Sequence, residues 1–203
     1  MTTNKKELSN INFSKDAADY DQSKRYETLR DSYPTIVAQA LSDPFGAVLD
    51  IGCGTGALLS MIRERQKSAQ LFGVDLSKEM IRAATAKLGK DADLRVSDSE
   101  TLPFKNNSFD LVTCTFSFHH YPNPRAVMLE MRRVLTTHGR LIMADPLAFT
   151  PVRQLMNLLI PLRKDGTVRY YSKREMVALI KGAGFSISKW LKLNWHSYLL
   201  VAE

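Results

Sequence analysis

The run Val48-Leu49-Asp50-Ile51-Gly52-Cys53-Gly54-Thr55-Gly56 constrains this chain more than any other, because it joins an apolar strand to three alternating glycines. Val48, Leu49 and Ile51 suit a strand covered on both faces, as in a parallel sheet. Gly52, Gly54 and Gly56 allow backbone conformations and close approaches that a side chain would forbid. Ala57 to Ile62 then opens a helix. A strand, a glycine turn and a helix N-terminus direct backbone N–H groups and the positive end of a helix dipole to one point, which favours a phosphate or a carboxylate. The segment reads as the turn that holds a nucleotide-like cofactor.

The spacing Gly52-x-Gly54-x-x-Ala57 also satisfies a loose dinucleotide fingerprint, so the turn by itself leaves the nucleotide open. The fuller pattern Asp50-x-Gly52-x-Gly54-x-Gly56 resembles motif I of the class I S-adenosylmethionine-dependent methyltransferases, in which an acid precedes the turn. That cofactor lacks a phosphate but carries an ammonium and a carboxylate, so its loop needs an acid as well as N–H donors. Asp50, Gly52, Cys53 and Gly54 are the matching cofactor contacts.

Three later segments extend the resemblance. Ala69 to Asp75 reads as a second strand whose terminal carboxylate can accept both ribose hydroxyls, a role that dehydrogenases and methyltransferases share. The methyltransferase resemblance implies that Leu76 packs near the adenine, with Met80 after it. Asp98-Ser99-Glu100-Thr101-Leu102-Pro103-Phe104 resembles the family's Asp-Ala-x-x-Leu-Pro-Phe loop, which implies that Asp98 accepts from the adenine amino group and that the Ser99 N–H reaches the ring. A dehydrogenase gives no reason for this loop. Phe109 to Phe116 resembles motif IV, and ligands of open α/β sheets sit beyond the carboxyl ends of strands, so Thr115 and Phe116 should face the cofactor.

His119 and His120 follow at that edge, where a neutral imidazole can take a proton at pH 7. His120, then His119, are the candidate base or acceptor-positioning groups. No further Cys or His stands nearby at ligand spacing, so a metal is not expected. Ahead of the glycine turn, Phe13 to Asp21 resembles the opening of the family branch that includes the quinone-biosynthesis C-methyltransferases, where this segment folds over the cofactor. Tyr20 is the matching contact.

The resemblance implies a Rossmann-like, doubly wound α/β fold with a mostly parallel seven-stranded sheet and an antiparallel C-terminal edge strand. A chain of 203 residues fits one domain. Within it, 1–12 reads as a mobile tail, 13–41 as an N-terminal helical cover with Ser14 as an N-cap and a helix from Tyr26 to Leu41, and 146–171 as a lid insertion. Thr136 to Gly139 is expected to end a helix, with Gly139 as its cap. No apolar stretch approaches the ~18 residues of a membrane span, and the two cysteines, Cys53 and Cys114, read as reduced thiols, so a cytoplasmic protein is expected.

The implied reaction is in-line transfer of the sulfonium methyl of S-adenosylmethionine to a small-molecule acceptor, leaving S-adenosylhomocysteine. A formal charge of +7 keeps nucleic acid in view, but the basic residues are scattered, and Thr115-Phe116-Ser117-Phe118 stands where amino-methylating enzymes carry Asn/Asp-Pro-Pro-aromatic. A nucleic-acid or protein methyltransferase, an NAD(P)-dependent oxidoreductase and a non-catalytic binding module are the alternatives. Sequence leaves the oligomeric state open.

Overall fold

The computed structural model describes residues 5–23, 27 and 29–203. A single seven-stranded sheet organises them, from β1 (Ala47–Ile51), β2 (Gln70–Asp75), β3 (Ala92–Val96), β4 (Phe109–Thr115), β5 (Leu135–Pro146), β6 (Ile187–Asn194) and β7 (Ser197–Ala202), in the order β3-β2-β1-β4-β5-β7-β6. Neighbours from β3 to β5 pair in parallel, and β7 runs antiparallel to both β5 and β6. The antiparallel strand is thus the C-terminal one, placed one position in from the outermost strand β6.

Alternation along the strands builds two apolar layers, since successive side chains point to opposite faces. On one face, Leu49, Val112, Cys114, Leu141 and Met143 meet Val127, Met128 and Met131 of α5 (Pro124–Val134) and Met176 and Ile180 of α7 (Lys173–Gly182). On the other, Val48, Leu111 and Ile142 meet Ile36, Val37 and Ala40 of α2 (Tyr33–Ala40) and Leu58, Leu59 and Ile62 of α3 (Ala57–Arg65). Both faces of the central strands are therefore buried, as their near-continuous apolar sequences require.

Several local outcomes differ from the sequence reading. Lys5–Asp16 is a helix, α1, where a tail to residue 12 was expected, and Ser14 lies inside it rather than at its cap. No residue of α1 is buried, so no apolar stripe announces it. It is held instead by polar contacts of Lys5, Lys6, Asn12 and Ser14. Tyr26, where the next helix was expected to begin, lies outside the described residues; Glu27, Leu29 and Arg30 are helical, and after a turn at Asp31 and Ser32 the helix α2 starts at Tyr33.

Gly139 is no helix cap. The α5 helix ends at Val134 and the chain passes straight into β5, with a register shift opposite Phe109 and Leu111. A Cβ on Gly139 would stand 3.0 Å from the Phe109 carbonyl oxygen and 3.1 Å from the Thr136 nitrogen, so close backbone approach is what the glycine serves.

Within 146–171, α6 (Thr150–Leu159) also has no buried residue. Between β2 and β3 lies α4 (Lys78–Leu88), which starts on the Ser77 side chain accepting from the Met80 N–H.

Candidate functional site

A cleft of about 940 Å³, counted with its open mouth, lies over the carboxyl ends of β1, β2 and β4. This is the point where strand order reverses, between β1 and β4, and the place where open α/β sheets bind ligands. Its floor is the glycine turn. Gly52 has φ +72°, and a Cβ there would sit 2.6 Å from the Ser117 side chain and 2.9 Å from the Tyr121 hydroxyl. Ser117 and Tyr121 are tied to one another at 3.0 Å, and Ser117 donates to the Ile51 carbonyl at 3.2 Å, so a small polar bracket lies directly under the turn. Gly54 also has a positive φ, but its Cβ direction is open space, which leaves its backbone accessible from the cleft.

Two acids fix the floor electrostatically. Asp50 is buried and accepts from Thr113 Oγ1 at 2.7 Å, its register partner on β4. Burial pushes its carboxyl up to about 7; the Thr113 hydrogen bond opposes that shift and the nearby charge of Asp75 adds to it. Asp50 has no ion-pair partner among the described residues. Asp75 accepts from the Gly54 N–H at 3.0 Å and from the Ser77 N–H at 2.8 Å, so it locks the turn to the start of α4. Burial also raises Asp75, against these backbone hydrogen bonds. A carboxylate kept from water without a cation fits the ammonium of S-adenosylmethionine, and the open space above Gly54 leaves room for the amino-acid end of that cofactor.

The residues singled out in the sequence converge here. Tyr20, Asp50, Gly52, Cys53, Gly54 and Asp75 line the cleft, as do Leu76, Met80, Asp98, Ser99, Thr115 and Phe116, together with His120. Cys53 is no nucleophile, because burial and the neighbouring carboxylates hold its thiol well above its ordinary value. Phe116 has φ +54°, a strained conformation for a side chain of this size, at the strand end facing the cleft.

His119 is the exception. It does not line the cleft; its Nδ1 lies 2.8 Å from Asp145 Oδ1, and Tyr170 stacks on its ring at 5.8 Å. Burial raises Asp145 well above the usual carboxylate range, opposed by a main-chain hydrogen bond from His119. His119 stands behind His120, ring centroids 4.1 Å apart, while Phe13 meets the His120 ring edge-on at 5.1 Å. His119 is thus placed to hold His120 rather than to touch a ligand.

The roof comes from the N-terminal segment, and most of it escaped the sequence reading. Lys6 Nζ lies 2.6 Å from Asp98 Oδ2 and 2.8 Å from Glu100. Ser14 donates to Glu79 at 2.7 Å, and Asp21 accepts from Thr55 and pairs with Lys87, both at 2.6 Å. Phe13, Leu29 and Tyr33 add apolar lining. Polar residues in an unpatterned segment give no signal of where they dock. Lys6 occupies an oxygen of the very carboxylate assigned to the adenine amino group, although a carboxylate can accept from more than one donor. The 146–171 segment places none of its residues among those lining the cleft.

Residues 49–143 match the family model described as a methyltransferase domain. The chain carries a methyltransferase domain. A demethylmenaquinone methyltransferase of Thermotoga maritima is 36% identical over 125 residues, which are 62% of this chain and 49% of that protein. An uncharacterized methyltransferase of Bacillus subtilis is 32% identical over 162 residues, 75% of this chain and 63% of that one. This chain therefore spans from about half to just under two thirds of those relatives' lengths. Among solved structures, a putative Haloferax volcanii methyltransferase in complex with the Trm112 methyltransferase activator superposes with a TM-score of 0.79 at 20% identity, over 94% of this chain and 96% of that one, which shows the shared fold. The glycine turn Gly52 to Gly56, Asp75 and the Asp98 loop all fall within the matched domain. Among the described residues, no group of His, Cys, Asp or Glu is arranged to hold a metal, and no helix is long and apolar enough to cross a membrane.

Proposed function

We propose that the chain transfers a methyl group from S-adenosylmethionine to a small-molecule acceptor by in-line displacement. The observation that carries the reading is the buried, cation-free carboxylate of Asp50 beside the open space above Gly54, at the switch point of the sheet. When bound, the cofactor supplies an electrophilic sulfonium methyl and departs as S-adenosylhomocysteine. Asp50 and the turn hold the amino-acid end, Asp75 the ribose, and Asp98 with Ser99 the adenine, while Leu76 and Met80 pack beside the base and Tyr20 covers it. Thr115 and Phe116 close the strand end where the methyl group would point.

Positioning can supply much of the acceleration, up to about 7–11 kcal/mol in favourable systems, so no covalent nucleophile is needed. His120 faces the cleft and is assigned the task of orienting the acceptor or taking its proton. His119 and Asp145 hold that imidazole from behind. A small acceptor is supported by the aromatic, enclosed roof of Phe13, Tyr20 and Tyr33 and by the similarity to a demethylmenaquinone methyltransferase. The reduced, buried thiols suit a cytoplasmic setting.

Calorimetric titration with S-adenosylmethionine and S-adenosylhomocysteine tests the reading. Both should bind the wild type, and Asp75→Ala and Asp98→Ala should each weaken binding by about ten-fold or more, the loss of a charge-assisted hydrogen bond. Folded wild-type protein that binds neither would overturn it. Once an acceptor is found, a His120→Ala variant with wild-type turnover would remove His120 from the chemistry.

A further inference from the structure

Helix α6 is inside out for a helix on the surface of a globular domain. Its inward side is anchored by polar groups: Arg153 reaches Glu175 at 3.2 Å, and Asn157 exchanges two hydrogen bonds with the Tyr170 backbone at 3.0 and 2.9 Å. Its outward side, continued through the following turn, carries Phe149, Val152, Leu155, Leu158, Leu159 and Leu162. Leu158 and Leu162 are 74% and 78% exposed, and Phe149 is 70% exposed. Their steps of three and four residues put them on one stripe. The polar inward anchors show that the stripe is not a core face left uncovered, because the helix is bonded to the domain through its other side.

The surround of the stripe is basic. Arg163, Lys164 and Arg169 stand against two carboxylates, Asp165 and Glu175, and Glu175 also serves the inward anchor Arg153. We propose that this face of α6 docks on an anionic lipid membrane surface. An amphipathic helix with an apolar stripe and a basic flank lies in the interface of such a bilayer, its apolar side chains in the acyl boundary and its cations among the headgroups. A second copy of the chain fits less well, since a two-fold contact sets the same basic flank against itself. The placement also joins the surface to the cleft. Lys5 of α1, the helix that roofs the cleft, bonds the carbonyls of Ile160 and Arg163 at 3.1 and 3.2 Å, at the end of the stripe. The docking inference stands on α6 alone and holds whatever reaction the cleft performs.

Flotation of the full chain with phosphatidylcholine vesicles, with and without phosphatidylglycerol, tests it. The wild type should float with the anionic vesicles and stay behind with the neutral ones. The pair Leu158→Glu and Leu162→Glu should cut the bound fraction on the order of ten-fold, because two exposed apolar anchors are lost and like charges face the headgroups. The thermal unfolding midpoint should not move, since both side chains are outside the core. Raised salt and Lys164→Glu should each weaken binding. Absence of flotation, or equal flotation of wild type and the double variant, overturns the proposal. So does concentration-dependent dimerisation by light scattering that the same double variant abolishes in the absence of flotation, which would assign the stripe to a second copy.

Discussion

The floor of the cleft is made by strand ends and the roof by a helix with nothing buried, and different interactions hold the two. In the floor, Gly52, Asp50 and Asp75 are fixed by backbone hydrogen bonds and by side chains shut away from water, as in the bond from the Gly54 N–H to Asp75 and from Thr113 to Asp50. In the roof, α1 is held by Lys6 and Ser14 and the turn after it by Asp21, the Lys6 and Asp21 ion pairs having side chains roughly a quarter to two fifths exposed. Exposed pairs contribute about 0–1 kcal/mol each and weaken in salt. The floor is therefore preset by buried contacts, whereas the roof rests on exposed ones that salt can loosen.

The largest effect should come from damaging the floor. Gly52→Val places a branched side chain where the Ser117 Cβ and Oγ would stand 2.6 Å from its Cβ, at a positive φ that a β-branched residue avoids. Strain and overpacking each cost on the order of 1–3 kcal/mol. Calorimetry should then show S-adenosylmethionine binding reduced by about a hundred-fold or more, with a lower unfolding midpoint. A valine variant that binds like the wild type would mean that the turn moves freely, and the contrast with the roof would fail.

A second, subtler effect follows from Asp50. Its carboxyl is held near 7 in the folded protein against 3.8 as its ordinary value, because burial penalises the charge. Between those two pH values the folded state keeps a proton that the unfolded state releases. Stability of the ligand-free protein therefore falls as pH rises from about 4 to about 7 and then levels off. Asp50→Asn, which can still accept from Thr113, should raise ligand-free stability at pH 8 by a few kcal/mol, given about 1.4 kcal/mol per unit of displacement. Cofactor affinity should move oppositely: it should rise with pH through 7 in the wild type, as the carboxylate that meets the ammonium forms, and be weak and pH-independent in the variant. Chemical denaturation and calorimetry across this range read both.

The same contrast explains what was legible in the sequence. The floor could be read because glycine at a positive φ and an acid at a strand end are demanded by local backbone geometry and by the ligand, and both are local in sequence. Asp75 was found that way, while Asp50 and Asp98 were assigned from the resemblance of their loops to the family's. Of the roof, 13–41 was expected as a cover with Tyr20 as its contact, but the docking of Lys6, Ser14 and Asp21 could not be read, because they act only through partners far along the chain, and residues 5–12 carry no apolar stripe to distinguish a docked helix from a tail. His119 was kept as a candidate behind His120 for a related reason: adjacency in sequence hides that Asp145 takes one ring and the cleft the other. Residues 146–171 were expected as a lid insertion, and a Leu-rich composition does not say which way an apolar face turns. Gly139 was misread because a helix end and a close strand contact both call for glycine.

The smallest effect probes the roof alone. Lys6 holds Asp98 Oδ2, and the adenine amino group is assigned to the same carboxylate, so the two donors compete unless Asp98 turns to receive both. With the Asp98 side chain 38% exposed, the Lys6 pair is worth no more than the about 1 kcal/mol of a surface ion pair. Lys6→Ala should therefore tighten S-adenosylmethionine binding by at most about five-fold at low salt, with the gain fading as ionic strength rises. Its cost to the fold should be small, because Glu100 and Asp98 are both reached by water once the amine is gone. Weaker binding in the variant would reverse the assignment: Lys6 would then be a ligand-side contact that closes over the adenine, and the roof would belong to the preset part of the site along with the floor.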